Sequence, residues 1–262
     1  MSGVASDSRL LDELARIVRE AGAAIMQVYA SGIDVAYKTD ASPVTEADRR
    51  AEDIILQRLH EIAPATTVLS EEAASDGAAF VPAPTFFLVD PLDGTKEFIN
   101  RNGEFTVNIA LIRDGRPALG AVYAPALARL YLGAHGLGAF RIDEASGAKT
   151  KIGTRPRPQA GLVAVASRSH RSPETDDYLR DLSVSSFVEA GSSLKFCLIA
   201  EGAADIYPRF GRTMEWDTGA GQAVLEAAGG KVLTHPGGER LVYGKTLRGY
   251  DNPHFVASGY DG

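Results

Sequence analysis

The chain is short of cysteine: it has one, Cys197, in 262 residues. It can close no internal disulfide, and nothing in its cysteine usage points to an oxidising compartment. It also lacks any run of about 18 apolar residues, so no segment is expected to span a bilayer. No basic amphipathic stretch marks it for a membrane surface. Positive charge is in deficit. The formal net charge of −7 argues against nucleic acid as a partner, because non-specific binding wants a basic face. A small anionic substrate is not excluded, since bound cations can invert the local field. Near the N-terminus the apolar residues are interrupted by Asp12, Glu13, Arg16, Arg19 and Glu20. That is not the pattern of a signal peptide, and the cytoplasm is the expected compartment. There are no repeats and no low-complexity tracts.

What remains is ordinary globular composition, 45% hydrophobic and 23% charged. A chain of this size can bury a full core. A single domain over 1–262 is expected, with lobes at about 1–155 and 156–262. The division falls in "TRPRPQA" (154–160), where prolines replace pattern. Apolar residues at helical spacing predict helices over 8–30 and from about 45 to 62, with Gly32 capping the first. Strands are expected over 67–70 and 86–89. Two more, over 104–112 and 117–123, should flank the Asp114-Gly115 turn. A pair of short strands follows within 129–142. Beyond the linker the order reads strand (162–167), helix (173–182), strand (185–190), helix (193–202), strand (204–208) and helix (217–228). Closing strands follow near 232–238 and 254–258. The mixture predicts helices layered on sheets.

The most unusual local stretch is "FLVDPLDGTKEFIN", 87–100. A buried strand reads as ending at Asp90. Pro91 stiffens the turn and Asp93 can fold back toward Asp90, with the Leu92 carbonyl in the same space. Two carboxylates forced together would repel, and one would take a proton. A hard divalent cation avoids that. Oxygen donors without a nearby His or Cys favour Mg²⁺ or Mn²⁺ over Zn²⁺. Gly94 permits close backbone approach, and Thr95 would open a helix whose free N–H groups attract anions. Taken alone, the same stretch reads equally well as an Asp-rich turn capping a helix.

Other acids follow the same habit of sitting at element ends. Glu71 and Glu72 close "LSEE" (69–72), where solvated loop charges are an alternative. Asp217, in "MEWDTGAG" (214–221), is placed to be a helix N-cap, beside the single Trp216. Thr45 and Asp48, in "KTDASPVTEAD" (38–48), have capping-box spacing with Asp in the usual Glu position. Cys197 lies in an apolar helix and reads as core.

Together these stretches resemble the inositol monophosphatase superfamily of magnesium-dependent, lithium-sensitive phosphatases. The resemblance rests on three motifs in order. They are Glu71-Glu72 after a strand, then Asp90-Pro91-Leu92-Asp93-Gly94-Thr95, then Trp216-Asp217. "DPLDGTKEFINRNGEFTVNIALI", "LGAVYAP", "SRSH" (167–170), "GSSLKFCLIAEGAADIYPRFG" (191–211) and "WDTGAGQAVL" (216–225) look like the CysQ-type branch of 3′(2′),5′-bisphosphate nucleotidases. Gly219 departs from the Ala expected in that branch, and both are small.

The resemblance implies an α/β fold, a layered α-β-α-β-α sandwich with its site between the lobes. It implies one Mg²⁺ on Glu71, Asp90 and the Leu92 carbonyl. A second would sit on Asp90, Asp93 and Asp217, and a third, weaker one on Glu71 and waters. Mn²⁺ is a possible substitute and Li⁺ an inhibitor. Thr95 and Asp48, with Glu71, would orient and deprotonate the attacking water. Gly94 and Thr95 would bind the phosphate being cleaved, beside Asp217. Ser192, Ser193, Lys195 and Arg209 are candidates for a second phosphate, and His170 for the base.

The expected reaction removes the 3′-phosphate of adenosine 3′,5′-bisphosphate, or of its sulfated form, in sulfate assimilation. One alternative on the same metal site is an inositol-1-phosphate or fructose-1,6-bisphosphate phosphatase. Another is a non-catalytic nucleotide- or metal-binding protein. Such a protein should have lost a ligand or the water-orienting pair, yet Glu71, Asp90, Asp93, Asp217, Asp48 and Thr95 are all present. The resemblance implies a cytosolic protein, with loose attachment to the inner membrane in some relatives. It leaves monomer and homodimer both open.

Overall fold

A computed structural model describes residues 2–31, 35–37, 43–166 and 173–260. Gly32 and His170, the expected helix cap and base contact, lie outside these residues. The chain opens with helix α1 (Ser2–Ser31), strands β1 (Val35–Tyr37) and β2 (Pro43–Thr45), and helix α2 (Glu46–Ile62). The predicted capping box starts α2. The Thr45 hydroxyl accepts from Ala47 N–H, and Asp48 Oδ2 accepts from Thr45 N–H at 2.7 Å. Leu14, Val18, Ala21 and Ile25 of α1 share a buried face with Ala51, Ile55 and Leu59 of α2.

Next come β3 (Thr67–Ser70), α3 (Glu71–Ser75), β4 (Thr85–Asp93) and α4 (Thr95–Ile99). A meander follows: β5 (Thr106–Arg113), β6 (Arg116–Ala124), β7 (Arg129–Ala134), β8 (Gly138–Asp143) and β9 (Ala148–Ile152). Strands β3 to β9 form one seven-stranded sheet in sequence order, parallel at β3–β4 and antiparallel elsewhere. Strand β9 was not foreseen. It is an exposed edge strand carrying Lys149 and Lys151, without the alternation that announces a half-buried strand.

Residues 153–161 hold no helix or strand. After them come β10 (Leu162–Ala166), α5 (Pro173–Arg180), β11 (Val184–Glu189), α6 (Leu194–Ala200) and β12 (Ile206–Arg209). Helix α7 (Glu215–Ala227) and strands β13 (Lys231–Thr234) and β14 (Phe255–Ser258) complete the chain. Their strands form a five-stranded sheet in the order β11-β10-β12-β14-β13.

The two sheets and their helices stack in five layers. Helices α1 and α2 pack on Phe87, Val89, Ile109 and Leu111, the outer face of the large sheet. Phe86, Leu88 and Ala110, on its other face, meet Phe196 of α6 and Trp216, Ala220 and Val224 of α7. The same cluster continues to Val232, Phe255 and Ala257 of the small sheet. Helix α5 covers the far side of that sheet through Leu179, against Leu162, Ala164 and Ile206. This is the α-β-α-β-α sandwich expected from the sequence. Helix α7 lies unusually close to β6 and β7. A Cβ at Gly120 would stand 2.4 Å from the Ala220 carbonyl oxygen, so only glycine permits the approach.

Candidate active site

The acidic motifs converge where β3, β4 and the first turn of α7 end beside one another. Strand β4 does not stop at Asp90, as the sequence suggested, but runs through Pro91 to Asp93. Asp90 pairs with Asn108 and Asp93 with Thr106. Two residues, Pro91 and Leu92, therefore oppose the single Val107. This is a β-bulge, where a proline costs no ladder bond and a side chain can be re-aimed. Leu92 N–H donates to Asp90 Oδ1 at 3.1 Å, which fixes the Asp90 carboxylate beneath the bulge. Gly94 then turns the chain at φ +90°, a conformation that suits glycine, and α4 begins at Thr95.

Asp48 reaches this point from the first turn of α2. The Thr95 hydroxyl lies 3.3 Å from Asp48 Oδ1 and 3.4 Å from the Leu92 carbonyl oxygen. It has one proton to donate and so serves one of the two at a time. Asp48 is buried, 1% exposed, and its Oδ2 also accepts from the Thr45 hydroxyl at 2.7 Å.

Asp217 sits in the first turn of α7 rather than before it. Met214 is the capping residue, and Asp217 Oδ2 accepts from Met214 N–H at 2.8 Å. The expected N-cap is thus the acid of a capping box, three residues into the helix. The reason is local: the helix begins at Glu215, and the carboxylate of buried Glu215 is committed to Gly244 N–H and Lys245 N–H.

A cavity of about 260 Å³ opens above these residues, lined by Glu71, Asp93, Thr95, Asp217, Lys195 and Arg209 among others. Gly94 and Ser192 also line it. Asp90, Asp48 and Leu92 lie behind the wall, and Ser193 is buried, 1% exposed. Burial, then the charges of Asp93 and Glu71, push the Asp217 carboxyl well above its usual range.

That mutual repulsion and the all-oxygen donor set fit a hard divalent cation. Among the described residues no three Asp, Glu, His or Cys side chains stand close enough together to hold an ion as they are. Hydrogen bonds hold two of the carboxylates apart. Asp93 Oδ2 takes the Ser192 hydroxyl at 2.7 Å, and Asp217 is held by Met214.

The lining also carries two cationic side chains. Lys195 is buried, donates from Nζ to the Ser192 carbonyl at 2.7 Å and stands 5.5 Å above the Tyr207 ring. Burial lowers its pKa to about 8 against the opposing pull of Asp93. Arg209 donates to the Arg212 carbonyl at 2.8 Å, while its buried Nε has no protein partner among the described residues.

Sequence reasoning missed several neighbours. Asn108 and Thr106 of β5 and Glu104 before it bind the 191–193 loop. The signal for Asn108 was available: a lone amide inside the apolar run "TVNIALI". Glu97 and Tyr207, which also line the cavity, carried no such signal.

A five-layer sandwich with an oxygen-rich cleft at the ends of its strands defines a protein of the metal-dependent phosphatase class. More narrowly, the chain belongs to the inositol monophosphatase family, whose profile matches residues 7–255. It is 49% identical to the 3′(2′),5′-bisphosphate nucleotidase CysQ of Salmonella typhimurium over 226 residues, covering 85% of this chain and 89% of that one. The CysQ of Buchnera aphidicola is 44% identical, covering 95% of this chain and 94% of its own. Among solved structures, CysQ from Bacteroides thetaiotaomicron superposes with a TM-score of 0.80 at 37% identity. That match covers 96% of this chain and 97% of the other.

Proposed function

We propose that the protein is a 3′(2′),5′-bisphosphate nucleotidase. It would remove the 3′-phosphate of adenosine 3′,5′-bisphosphate, and of its sulfated form, to leave AMP and phosphate, respectively the sulfated analogue of AMP and phosphate. The observation that carries this reading is one cavity with two chemistries. Glu71, Asp93, Asp217 and Thr95 line it together with Lys195 and Arg209. A substrate with two phosphates needs both: one to be cleaved, the other to be held.

Glu71, Asp90 and the Leu92 carbonyl would hold one Mg²⁺, and Asp90, Asp93 and Asp217 a second. A third, weaker ion would rest on Glu71 and waters, and Li⁺ would inhibit. When bound, the ions lower the pKa of water and neutralise charge on the transferring phosphoryl group. The chain's own residues do the rest. Thr95 Oγ1, backed by Asp48 Oδ1 at 3.3 Å, orients the attacking water, and Asp48 accepts its proton by way of the Thr95 hydroxyl. Backbone N–H groups of Gly94 and Thr95 face the phosphate under attack. Lys195 and Arg209 hold the second phosphate and fix the nucleotide in line, while the Ser192 hydroxyl is committed to Asp93 Oδ2. The phosphorus–oxygen bond to the ribose breaks as the bond to water oxygen forms, and the ribose oxygen leaves as a hydroxyl, taking its proton from solvent water.

Clearing this nucleotide would serve sulfate assimilation. The decisive measurement is phosphate release from adenosine 3′,5′-bisphosphate, inositol 1-phosphate and fructose 1,6-bisphosphate, with and without Mg²⁺ and Li⁺. The bisphosphorylated nucleotide should have the highest kcat/KM, and Asp90→Asn should lose at least about 100-fold. A preference for inositol 1-phosphate overturns the substrate assignment, and an Asp90→Asn variant of wild-type activity overturns the metal assignment.

A further inference from the structure

The cleft joins acids from two distant parts of the chain, Asp93 on the large sheet and Asp217 on α7, and one buried amide touches the supports of both. Asn108 is 1% exposed. Its Nδ2 donates to Asp93 Oδ2 at 3.3 Å and to Ser193 Oγ at 3.0 Å. The Ser193 hydroxyl in turn donates to the Asp217 carbonyl oxygen at 2.9 Å. Its single proton is thereby used, so towards Asn108 it can only accept. Both groups facing Nδ2 are acceptors. Turning the amide over would set its carbonyl oxygen against a carboxylate and a spent hydroxyl, so the network fixes the orientation. A second chain runs alongside. Ser192 Oγ donates to Asp93 Oδ2 at 2.7 Å, so its close partner Thr106 Oγ must donate to Ser192.

Both bonds to Asp93 fall on Oδ2, which leaves Oδ1 as the oxygen open to a cation. The 191–193 loop is pinned on its other sides by Glu104 Oε2, accepting from Gly191 N–H at 3.0 Å, and by Lys195 on the Ser192 carbonyl. These anchors hold Ser192 at φ +54°, which sparsely populated backbone region presents its hydroxyl to Asp93.

We propose that Asn108 is the positioning residue of the cation site. It orients Asp93 directly and sets the first turn of α7, and with it Asp217, through the Ser193 hydroxyl. Ser193 then acts as a relay between the acid of β4 and the acid of α7 rather than as a contact to substrate. The inference rests on the metal-dependent reading above, since it assigns these two acids to bound cations. It does not depend on which phosphate ester is cleaved.

The test reads cation binding without turnover. Chelator-stripped protein is titrated with Mn²⁺, free ion is followed by electron paramagnetic resonance, and unfolding is recorded on the metal-free samples. Asn108→Ala should raise the Mn²⁺ dissociation constant about 10–100-fold, the usual cost of removing a group that orients a metal ligand. Ser193→Ala should raise it less. The double variant should fall well short of the product of the two, because both changes break one chain. Asn108→Ser keeps one donor and should weaken binding to an intermediate degree, which preserves the test if the alanine variant does not fold. An Asn108→Ala protein that binds Mn²⁺ as tightly as wild type, whatever its melting temperature, overturns the proposal. So do fully multiplicative effects in the double variant. A wild type that binds Mn²⁺ but leaves adenosine 3′,5′-bisphosphate intact overturns the substrate assignment alone. A wild type that binds no Mn²⁺ overturns the metal reading and this proposal with it.

Discussion

Gly120→Ala should injure catalysis from the far side of a helix. The added Cβ would lie 2.4 Å from the Ala220 carbonyl oxygen and 2.7 Å from Ala223 Cβ, and the first of these is backbone that no rotamer change can remove. Restoring ordinary contact, at about 3.4 Å, requires α7 and β6 to separate by about 1 Å. Gly133 faces the same helix, and a Cβ there would stand 2.5 Å from Val224 Cα, so α7 cannot simply roll toward β7. Overpacking of this kind costs about 1–3 kcal/mol, roughly 2–6 °C in melting temperature for a chain this size. The same shift reaches Asp217, one turn away along α7 and about 4.5 Å along its axis. A displacement of about 1 Å at a reacting centre can cost about 100-fold in rate. The assay pairs thermal unfolding with kcat measured across a Mg²⁺ titration. Gly238→Ala is the control. It adds a Cβ at a positive φ, +70°, a strain Gly120 does not share, but no atom lies within 4 Å of that Cβ. It should lose about 1 kcal/mol or somewhat more and keep kcat. A Gly120→Ala protein with wild-type kcat and Mg²⁺ dependence would refute the idea that α7 is held in place by this contact.

Two further outcomes follow from charged groups. Lys195 is charged below its lowered pKa of about 8 and loses its proton above it. KM for adenosine 3′,5′-bisphosphate should therefore rise as pH passes 8, and Lys195→Met should abolish that rise; a KM independent of pH between about 7 and 9.5 speaks against the role. Asp205 is buried, and burial raises its carboxyl pKa. The paired hydrogen bonds from Arg155, both 2.7 Å, and that from Val163 N–H outweigh burial and leave it below its usual value. Its contribution to stability is then present above the unfolded value of about 4 and lost as pH falls through the folded value. Asp205→Asn should destabilise the protein at neutral pH by about 2 kcal/mol and flatten the acid limb of the stability curve, as denaturant melts across pH would show.

The layered architecture was legible because the buried elements carry strong periodicity. Helix α2, with its Thr45–Asp48 box, and the β5–β6 hairpin at Asp114-Gly115 follow from local chemistry alone. The acids Glu71, Asp93 and Asp217 could be named because each lies at an end or in a first turn of an element, and Asp90 because it interrupts an apolar run, positions where a polar residue must be explained. Four details were not legible. The bulge in β4 depends on the pairing of Asp93 with Thr106, a property of the partner strand. The start of α7 depends on Glu215 finding the backbone of residues 244 and 245, about thirty positions away. Strand β9 was missed because it buries almost nothing, so no pattern was demanded of it. Asn108 was passed over for the opposite reason: an apolar run reads as core, and its single amide made no local sense until β4 and the 191–193 loop lay on either side of it.

The single tryptophan stands beside one of the candidate ligands. Trp216, 6% exposed, precedes Asp217 in the first turn of α7 and packs in the cluster between the two sheets. The molecule thus carries one indole chromophore, wired to the helix end that cations and substrate would pull upon. Its emission comes from one place only, with no second indole to dilute it. Any movement of that turn, on loading with Mg²⁺ or on arrival of a nucleotide, is reported optically in the native sequence without a label.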